Sequence, residues 1–322
     1  MAQLNFHNRI NFDGKLSDLI NEISDIYYLG KVNSFRVIEI GFEDFNIKLI
    51  TTKGEYVIKI FSKGRTIAQV KRYVETIKMA LSCGVNHPKL ISIHSGEFLF
   101  AKTRDLQLIV MEYVRGSTFY DLSRTPNKDE LMLICTEAVK INSMQYEPEY
   151  IFDSWAIPNM KWMYKKTKDH LSAEGLYLVK KAFSLYNSIP LNALPRCFVH
   201  GDLTKTNLIA GNDHKVYVLD FAVANVYPRI QELAVMVANL MFDEKAESTM
   251  SLREKVDLVV NTYIGAGGNL AQIEIDNLMN YVLPGAAMEY IGSVNERIIG
   301  DTSQEIQYWE KLGLDTLREA LG

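Results

Sequence analysis

Asp202, Asn207 and Asp220 form the most informative pattern in this 322-residue sequence. They lie in His200-Gly201-Asp202-Leu203-Thr204-Lys205-Thr206-Asn207-Leu208-Ile209 and, shortly after, Val218-Leu219-Asp220-Phe221. An acid in a loop, an amide five residues on and a second acid after a short hairpin is the layout that phosphoryl transfer needs. One carboxylate orients or deprotonates a hydroxyl, while an amide oxygen and a second carboxylate hold Mg²⁺ against nucleotide phosphates. Residues 207–210 and 216–220 read as two short strands around the turn 211–215. In an antiparallel hairpin the start of the first strand faces the end of the second, which sets Asn207 beside Asp220, with Asp202 in the loop before them. The competing reading is a surface hairpin with turn-favouring Asn and Asp at its ends. The His-Gly before the first acid and the apolar strand delivering the second favour the catalytic reading.

A second candidate site lies further upstream. Along 56–61, strand alternation puts Val57, Lys59 and Phe61 on one face. A lysine between apolar neighbours is either at a sheet edge with its amine in water or held by an acid. Glu75, on the flank of the following helix, is the candidate partner, in the manner of the ion pair that holds a lysine against nucleotide phosphates. Lys71 and Lys78 lie at helical contact spacing from Glu75 and offer the alternative of a solvated surface pair.

The elements that must position these residues are legible in outline. Residues 12–30 carry a short amphipathic helix, with Leu16, Leu19, Ile20, Ile23 and Ile26 at helical spacing. Strands are expected at 36–40, 47–52 and 56–61, a helix at 67–81, and further strands at 90–94 and 106–110. From Asp129 on, helical patterns dominate, interrupted by the catalytic hairpin. The boundary falls at 111–116, which gives residues 1–111 as a nucleotide-binding lobe and 112–322 as a catalytic and substrate-binding lobe. The fold class is α+β: a small antiparallel sheet with one helix, a hinge, and a larger, mostly helical part.

The chain resembles the aminoglycoside phosphotransferase, choline kinase and homoserine kinase family, small-molecule kinases with a protein-kinase-like fold. Its His-Gly-Asp-x-x-x-x-Asn motif and following Asp align without a gap, and the resemblance covers about residues 25–300. It implies Asp202 as catalytic base, Asn207 and Asp220 as Mg²⁺ ligands, and ATP as phosphoryl donor. It also implies an ion pair between Lys59 and Glu75, since the family's strand lysine and helix glutamate have the same separation, and 84–88 matches the Gly-Val-x-x-Pro that follows its helix. Residues 41–46, ending in Asn46, correspond to the family's nucleotide-covering loop, usually Gly-Gly-x-x-Asn. Here the loop has one glycine and two acids, Glu43 and Asp44, so phosphate contact by its backbone requires the acids to point outward. By the same resemblance the backbone of Glu112 and Val114 meets the adenine edge and Met111 lines the back of the pocket. Glu232 stands where the family has an aspartate that braces the catalytic loop. Phe221-Ala222-Val223 lacks the glycine of the protein kinases' Asp-Phe-Gly, so an on/off flip of the metal ligand is not expected.

Other residues leave alternatives open. His200 reads as a support for the loop and not a proton carrier. Lys205 reads either as a charge neutraliser for the phosphoryl group or as a solvated loop lysine. Residues 1–110 carry 15 Lys+Arg against 11 Asp+Glu, and residues 111–322 carry 20 against 28. Within 223–322 the acids outnumber the bases by 15 to 7, which suits a cationic hydroxyl acceptor or a solvated helix face. Trp155, Trp162 and Trp309 offer either a cage for a quaternary ammonium or ordinary packing. No basic stripe interleaved with aromatics suggests nucleic acid, and no apolar run is long enough to span a membrane. Cys83, Cys135 and Cys197, without metal-ligand spacing, and a start without a secretion signal are expected of a cytoplasmic protein. The expected activity is transfer of phosphate from ATP to a hydroxyl of a small molecule. A protein kinase and a nucleotide-binding pseudokinase are the competing readings.

Overall fold

The computed structural model describes residues 9–10, 12–39, 44–97, 100–102, 106–245 and 250–322. The chain falls into two compact units, residues 1–82 with 86–115, and residues 83–85 with 116–322.

The first unit is a six-stranded antiparallel sheet with helices α1 (Leu16–Ile26) and α2 (Ile67–Ser82). Its strands are β1 (Val32–Ile38), β2 (Phe45–Thr51), β3 (Glu55–Ile60), β4 (Leu90–Ile91), β5 (Phe100–Lys102) and β6 (Leu106–Glu112). They run in the order β1-β2-β3-β6-β4, and β5 also pairs with β6. One face of the sheet is the core. Phe45, Ile47 and Leu49 from β2, Ile58 and Ile60 from β3 and Leu108 and Val110 from β6 pack with Leu19, Ile20 and Ile23 of α1. Each such side chain, fully buried, contributes roughly 1.5–3 kcal/mol. Alternation then forces Asn46 and Lys59, which face each other across β2 and β3, onto the opposite face. The expected strand 36–40 forms over 32–38. It is a largely exposed edge strand, and its lack of a buried face explains the weak apolar signal. The short strand β5 was not expected from the sequence.

The second unit is mostly helical. Its helices are α3 (Lys128–Asn142), α4 (Met160–Thr167), α5 (Ala173–Ser188), α6 (Ile230–Val235), α7 (Leu252–Gly265), α8 (Gln272–Ile298) and α9 (Gln304–Leu321). A π-helical turn, Met236–Leu240, follows α6 directly. Strands β7 (Gly116–Thr118), β9 (Leu208–Gly211) and β10 (Val216–Val218) form one small sheet, and β8 (Arg196–Val199) with β11 (Asn225–Pro228) another. Helix α3 begins at a capping box in which Asn127 Oδ1 accepts from the Glu130 amide and Glu130 Oε2 accepts from the Asn127 amide. Helix α8 is buried along most of 278–294, so it carries apolar residues all round and tolerates Pro284 in its interior. Among the described residues no helix is long and apolar enough to cross a membrane.

Helix α9 packs on α8 through Gly313. A Cβ there would lie 2.5 Å from both the Ala286 carbonyl oxygen and the Tyr290 amide nitrogen. Backbone cannot swing aside as a side chain does. Gly313→Ala is therefore expected to destabilise the protein by about 1–3 kcal/mol, read as a lower midpoint in urea with little change in slope. An unchanged midpoint would contradict the close approach.

Candidate active site

The loop that carries Asp202 is pinned by a buried carboxylate. Glu232, fully buried on α6, accepts from the His200 amide through Oε1 at 2.9 Å and from the Gly201 amide through Oε2 at 2.8 Å. Gly201 sits at φ +79, a left-handed conformation that glycine adopts without cost. The His200 ring is buried as well. Its Nε2 lies 2.8 Å from the Leu219 carbonyl, and its Nδ1 accepts from the Asp202 amide at 3.2 Å. Only the neutral tautomer with its proton on Nε2 satisfies both contacts. Burial pushes the imidazole down to about 4, opposed by the Leu219 carbonyl and Asp220. Phe221 closes over this ring edge-on at 4.6 Å between centroids.

Strands β9 and β10 pair from Leu208↔Val218 to Ala210↔Val216, and the Leu219 amide donates to the Asn207 carbonyl at 2.8 Å. This brings the ends of the hairpin together as the residue spacing implied. Asn207 Nδ2 donates to Asp202 Oδ2 at 2.6 Å and to the Asp202 carbonyl at 3.1 Å. With its nitrogen engaged there, the amide has its Oδ1 to offer a cation. Asp220 sits at φ +58, an unusual conformation for a non-glycine residue, and its Oδ1 accepts from the Ala222 amide at 3.2 Å. Such local strain is concentrated at functional positions. Among the described residues no group of three or more His, Cys, Asp or Glu side chains is placed to hold a metal alone. An amide oxygen and one or two carboxylates do fit Mg²⁺, which keeps waters and takes phosphate oxygens to complete its shell.

Asp202 lies in an excess of negative charge. Its carboxyl is held well above the usual range, first by burial, then by the charges of Glu289, Asp153 and Asp220, with a Thr204 hydrogen bond opposing. Glu289, on α8, is itself pushed up to about 7 by burial and by Asp153, opposed by a hydrogen bond from Asn239. Asp153 and Glu289 were not singled out from the sequence, because they lie far from the motif along the chain. Asn239 was also missed. From the π-helical turn, its Nδ2 donates to Glu289 Oε1 at 3.1 Å and its Oδ1 accepts from the Lys205 amide at 3.2 Å. Such turns recur at functional sites, but nothing in the local sequence announces this one. Lys205 is not a solvated loop lysine. It is buried, and its Nζ donates to the Phe242 carbonyl at 2.6 Å, so it ties the loop to the end of the π turn. Burial lowers its ammonium to about 8. The three tryptophans keep different company. Trp155 covers Gly292, Trp162 meets Phe152 and Lys166, and Trp309 packs with Tyr308 and Tyr120.

In the first unit the expected Lys59–Glu75 pair does not form. Lys59 Nζ is 2.8 Å from Asp44 Oδ2, and both side chains are buried. Glu75, with its side chain 60% exposed, pairs with Lys78 one turn along α2 at 2.9 Å. The helix turns Val70, Tyr73, Val74 and Ile77 inward, which leaves position 75 on the solvent side. Asp44 likewise points inward, against the requirement that the loop's acids face out. Gly41, Phe42 and Glu43 of that loop lie outside the described residues. Asn46 lies opposite Lys59 on β2. Met111, 7% exposed, and Glu112 end β6. The Glu112 amide donates to the Lys89 carbonyl at 2.9 Å, so a purine edge would find the carbonyl of this residue and not its N–H. Val114 follows, half-buried.

His200 generates a pH prediction. Its folded value, about 4, lies below the ordinary 6.5, so the unfolded chain binds the proton more readily. Stability from this group is present above pH 6.5 and is lost as pH falls towards 4. Relative to His200→Asn, which keeps polar atoms but does not titrate, the wild type should lose about 3 kcal/mol by pH 4. Parallel urea-unfolding curves for the two proteins across this range would contradict the buried neutral ring.

Residues 34–252 match the phosphotransferase enzyme family. A homoserine kinase of Janthinobacterium sp. (strain Marseille) is 21% identical over 260 residues, covering 77% of this chain and 76% of that protein. The fold matches that of amicoumacin kinase hAmiN, solved with AMP-PNP, Ca²⁺ and Ami, with a TM-score of 0.69 at 11% identity over 95% of this chain and 94% of that one. Spectinomycin phosphotransferase APH(9)-Ia, solved with ADP and spectinomycin, gives 0.66 at 12% identity over 95% and 98%. Choline kinase LicA from Streptococcus pneumoniae gives 0.64 at 15% identity over 94% and 99%. With the match spanning both units, and with the Asp202, Asn207 and Asp220 constellation inside it, the chain belongs to the phosphotransferase enzyme family.

Proposed function

We propose that this enzyme transfers the terminal phosphoryl group of ATP, taken as its Mg²⁺ complex, to a hydroxyl of a small, positively charged acceptor. One observation carries this reading: Asp202 is half-buried, hydrogen-bonded to Asn207, and crowded by Asp153, Asp220 and Glu289. A carboxyl with its pKa raised is a competent proton acceptor near neutral pH, provided that arriving positive charge keeps it ionised as the reactants bind. Asp202 would orient the acceptor hydroxyl and take its proton as the oxygen attacks phosphorus in line. Asn207 and Asp220 would hold the ion, which supplies charge neutralisation on the phosphates. In the first unit, Lys59 and Asn46 would meet phosphate oxygens, while Met111, the Glu112 carbonyl and the Val114 backbone would meet the base.

Two of the four acids, Asp153 and Glu289, have no part in the proton or metal chemistry. An amino alcohol, an amino acid or an aminoglycoside-like acceptor carries an ammonium that would satisfy them. Spectinomycin, bound in one structural neighbour, and choline, which gives another its name, are compatible with this class.

Asp202→Asn is expected to leave MgADP affinity almost unchanged while lowering turnover by about a hundredfold to ten-thousandfold. A screen of hydroxyl acceptors for stimulated ADP release first identifies a substrate. Turnover within a factor of about three of wild type on that substrate would overturn the assignment. Asp220→Ala should abolish activity and weaken MgATP binding in calorimetry, and Asn207→Ala should do so less severely, because a carboxylate supplies charge and an amide only a dipole.

Glu289→Gln should raise the KM of the acceptor tenfold or more, with a change of less than about threefold in the KM of MgATP, as loss of a partly buried charge pair implies. A neutral acceptor, or equal changes in both KM values, would remove the cationic class.

A further inference from the structure

Asp44 is the least expected ionic residue of the first unit. Its side chain is 3% exposed, and both carboxylate oxygens are engaged by protein donors. Oδ2 meets Lys59 Nζ at 2.8 Å, while Oδ1 accepts from the Ser62 amide at 3.0 Å and from Arg65 Nε at 3.1 Å. Lys59 Nζ also stands 5.5 Å from the centre of the Tyr73 ring, so α2 presents an aromatic face to it, and Glu75 points to solvent. Ser62 and Arg65 belong to the tight turn after β3, closed by the Arg65 amide on the Ser62 carbonyl at 3.0 Å. The Arg65 carbonyl in turn accepts from Gln107 Nε2 on β6 at 3.3 Å.

We propose that Asp44 is the positioning residue of the phosphate-binding lysine, in place of a helix glutamate, and that Arg65 is a second cation held by the same carboxylate for the same phosphates. The inference rests on the reading that the first unit binds the nucleotide. One anchored carboxylate gathers two cations at one place, which suits a polyphosphate. A carboxylate that merely plugged the site would sit at its surface with an oxygen open to exchange. Asp44 is instead buried and fixed by three donors, the β3 lysine, the Ser62 amide and Arg65. Buried ion pairs of this kind hold long side chains in one geometry, and removing one partner leaves the other charge uncompensated. Arg65 adds planar donors suited to phosphate oxygens.

The test is calorimetric titration of MgADP into wild type, Asp44→Asn, Glu75→Gln and Arg65→Gln, with urea unfolding of each. Asp44→Asn keeps an acceptor for the Ser62 amide but removes the charge, and a tenfold or greater loss of MgADP affinity is expected. Glu75→Gln should bind within twofold of wild type. Arg65→Gln, whose residue lies nearer the surface, should lose threefold to tenfold and serves if Asp44→Asn does not fold. In turnover on an identified acceptor, Asp44→Asn should raise the KM of MgATP and leave that of the acceptor unmoved, which a general loss of packing would not do. Unchanged or tighter MgADP binding by folded Asp44→Asn would overturn the proposal, as would a tenfold loss in Glu75→Gln or wild-type affinity in Arg65→Gln. Failure of wild type itself to bind MgADP would overturn the nucleotide reading, and this inference with it.

Discussion

Negative charge gathered around one half-buried carboxylate, Asp202, is the constraint on which the second unit turns. Glu289, Asp153 and Asp220 raise the proton affinity of Asp202, and Asp153 raises that of Glu289, where partial burial weakens screening by water. Left alone, such a cluster holds protons that catalysis needs removed. Cations relieve it, and a phosphoryl transfer enzyme brings cations with its reactants: the ion that accompanies the nucleotide and, on the proposed reading, an ammonium on the acceptor. On that reading, the charge that destabilises the free site is the charge that would select its ligands.

The surrounding structure keeps that cluster in register. Glu232 fixes the loop through two backbone amides, and neutral His200 joins the loop to the strand end that carries Asp220. Asn239 links the loop to Glu289 from a π-helical turn, and Lys205 ties it to Phe242. These four residues touch backbone as much as side chain, so they set where the acids stand and take no part in the proton transfer proposed. The scheme is one of positioned charge, the usual strategy for phosphoryl transfer.

Where contacts are local, the sequence was a good guide. The hairpin delivered Asn207 and Asp220 together because a short turn leaves antiparallel strands one way to pair. The helix at 67–82 and the core strands followed from periodicity, and the α+β architecture from their order. Asp153 and Glu289 escaped because each reaches the site through tertiary packing, with no spacing that ties it to Asp202. Glu75 misled because separation along the chain does not say which face of a helix a residue occupies. A shift of one or two positions on α2 decides between Tyr73, turned inward, and Glu75, turned out. Asp44 misleads in the opposite sense: an acid near expected phosphates looks like an obstacle, yet it turns inward and pairs with Lys59.

Proton release on ligand binding probes the central claim most directly. Calorimetric titration of preformed MgADP, and then of an identified acceptor, in buffers of differing ionisation enthalpy gives the number of protons exchanged. Near pH 7, where Glu289 is half-protonated at a value of about 7 and Asp202 is held high, cations entering the cluster should expel protons. Net release by wild type, reduced in Asp202→Asn and in Glu289→Gln, is the expected result. Binding with no net proton exchange, or with uptake, would contradict a site in which the raised carboxyls of Asp202 and Glu289 await positive charge.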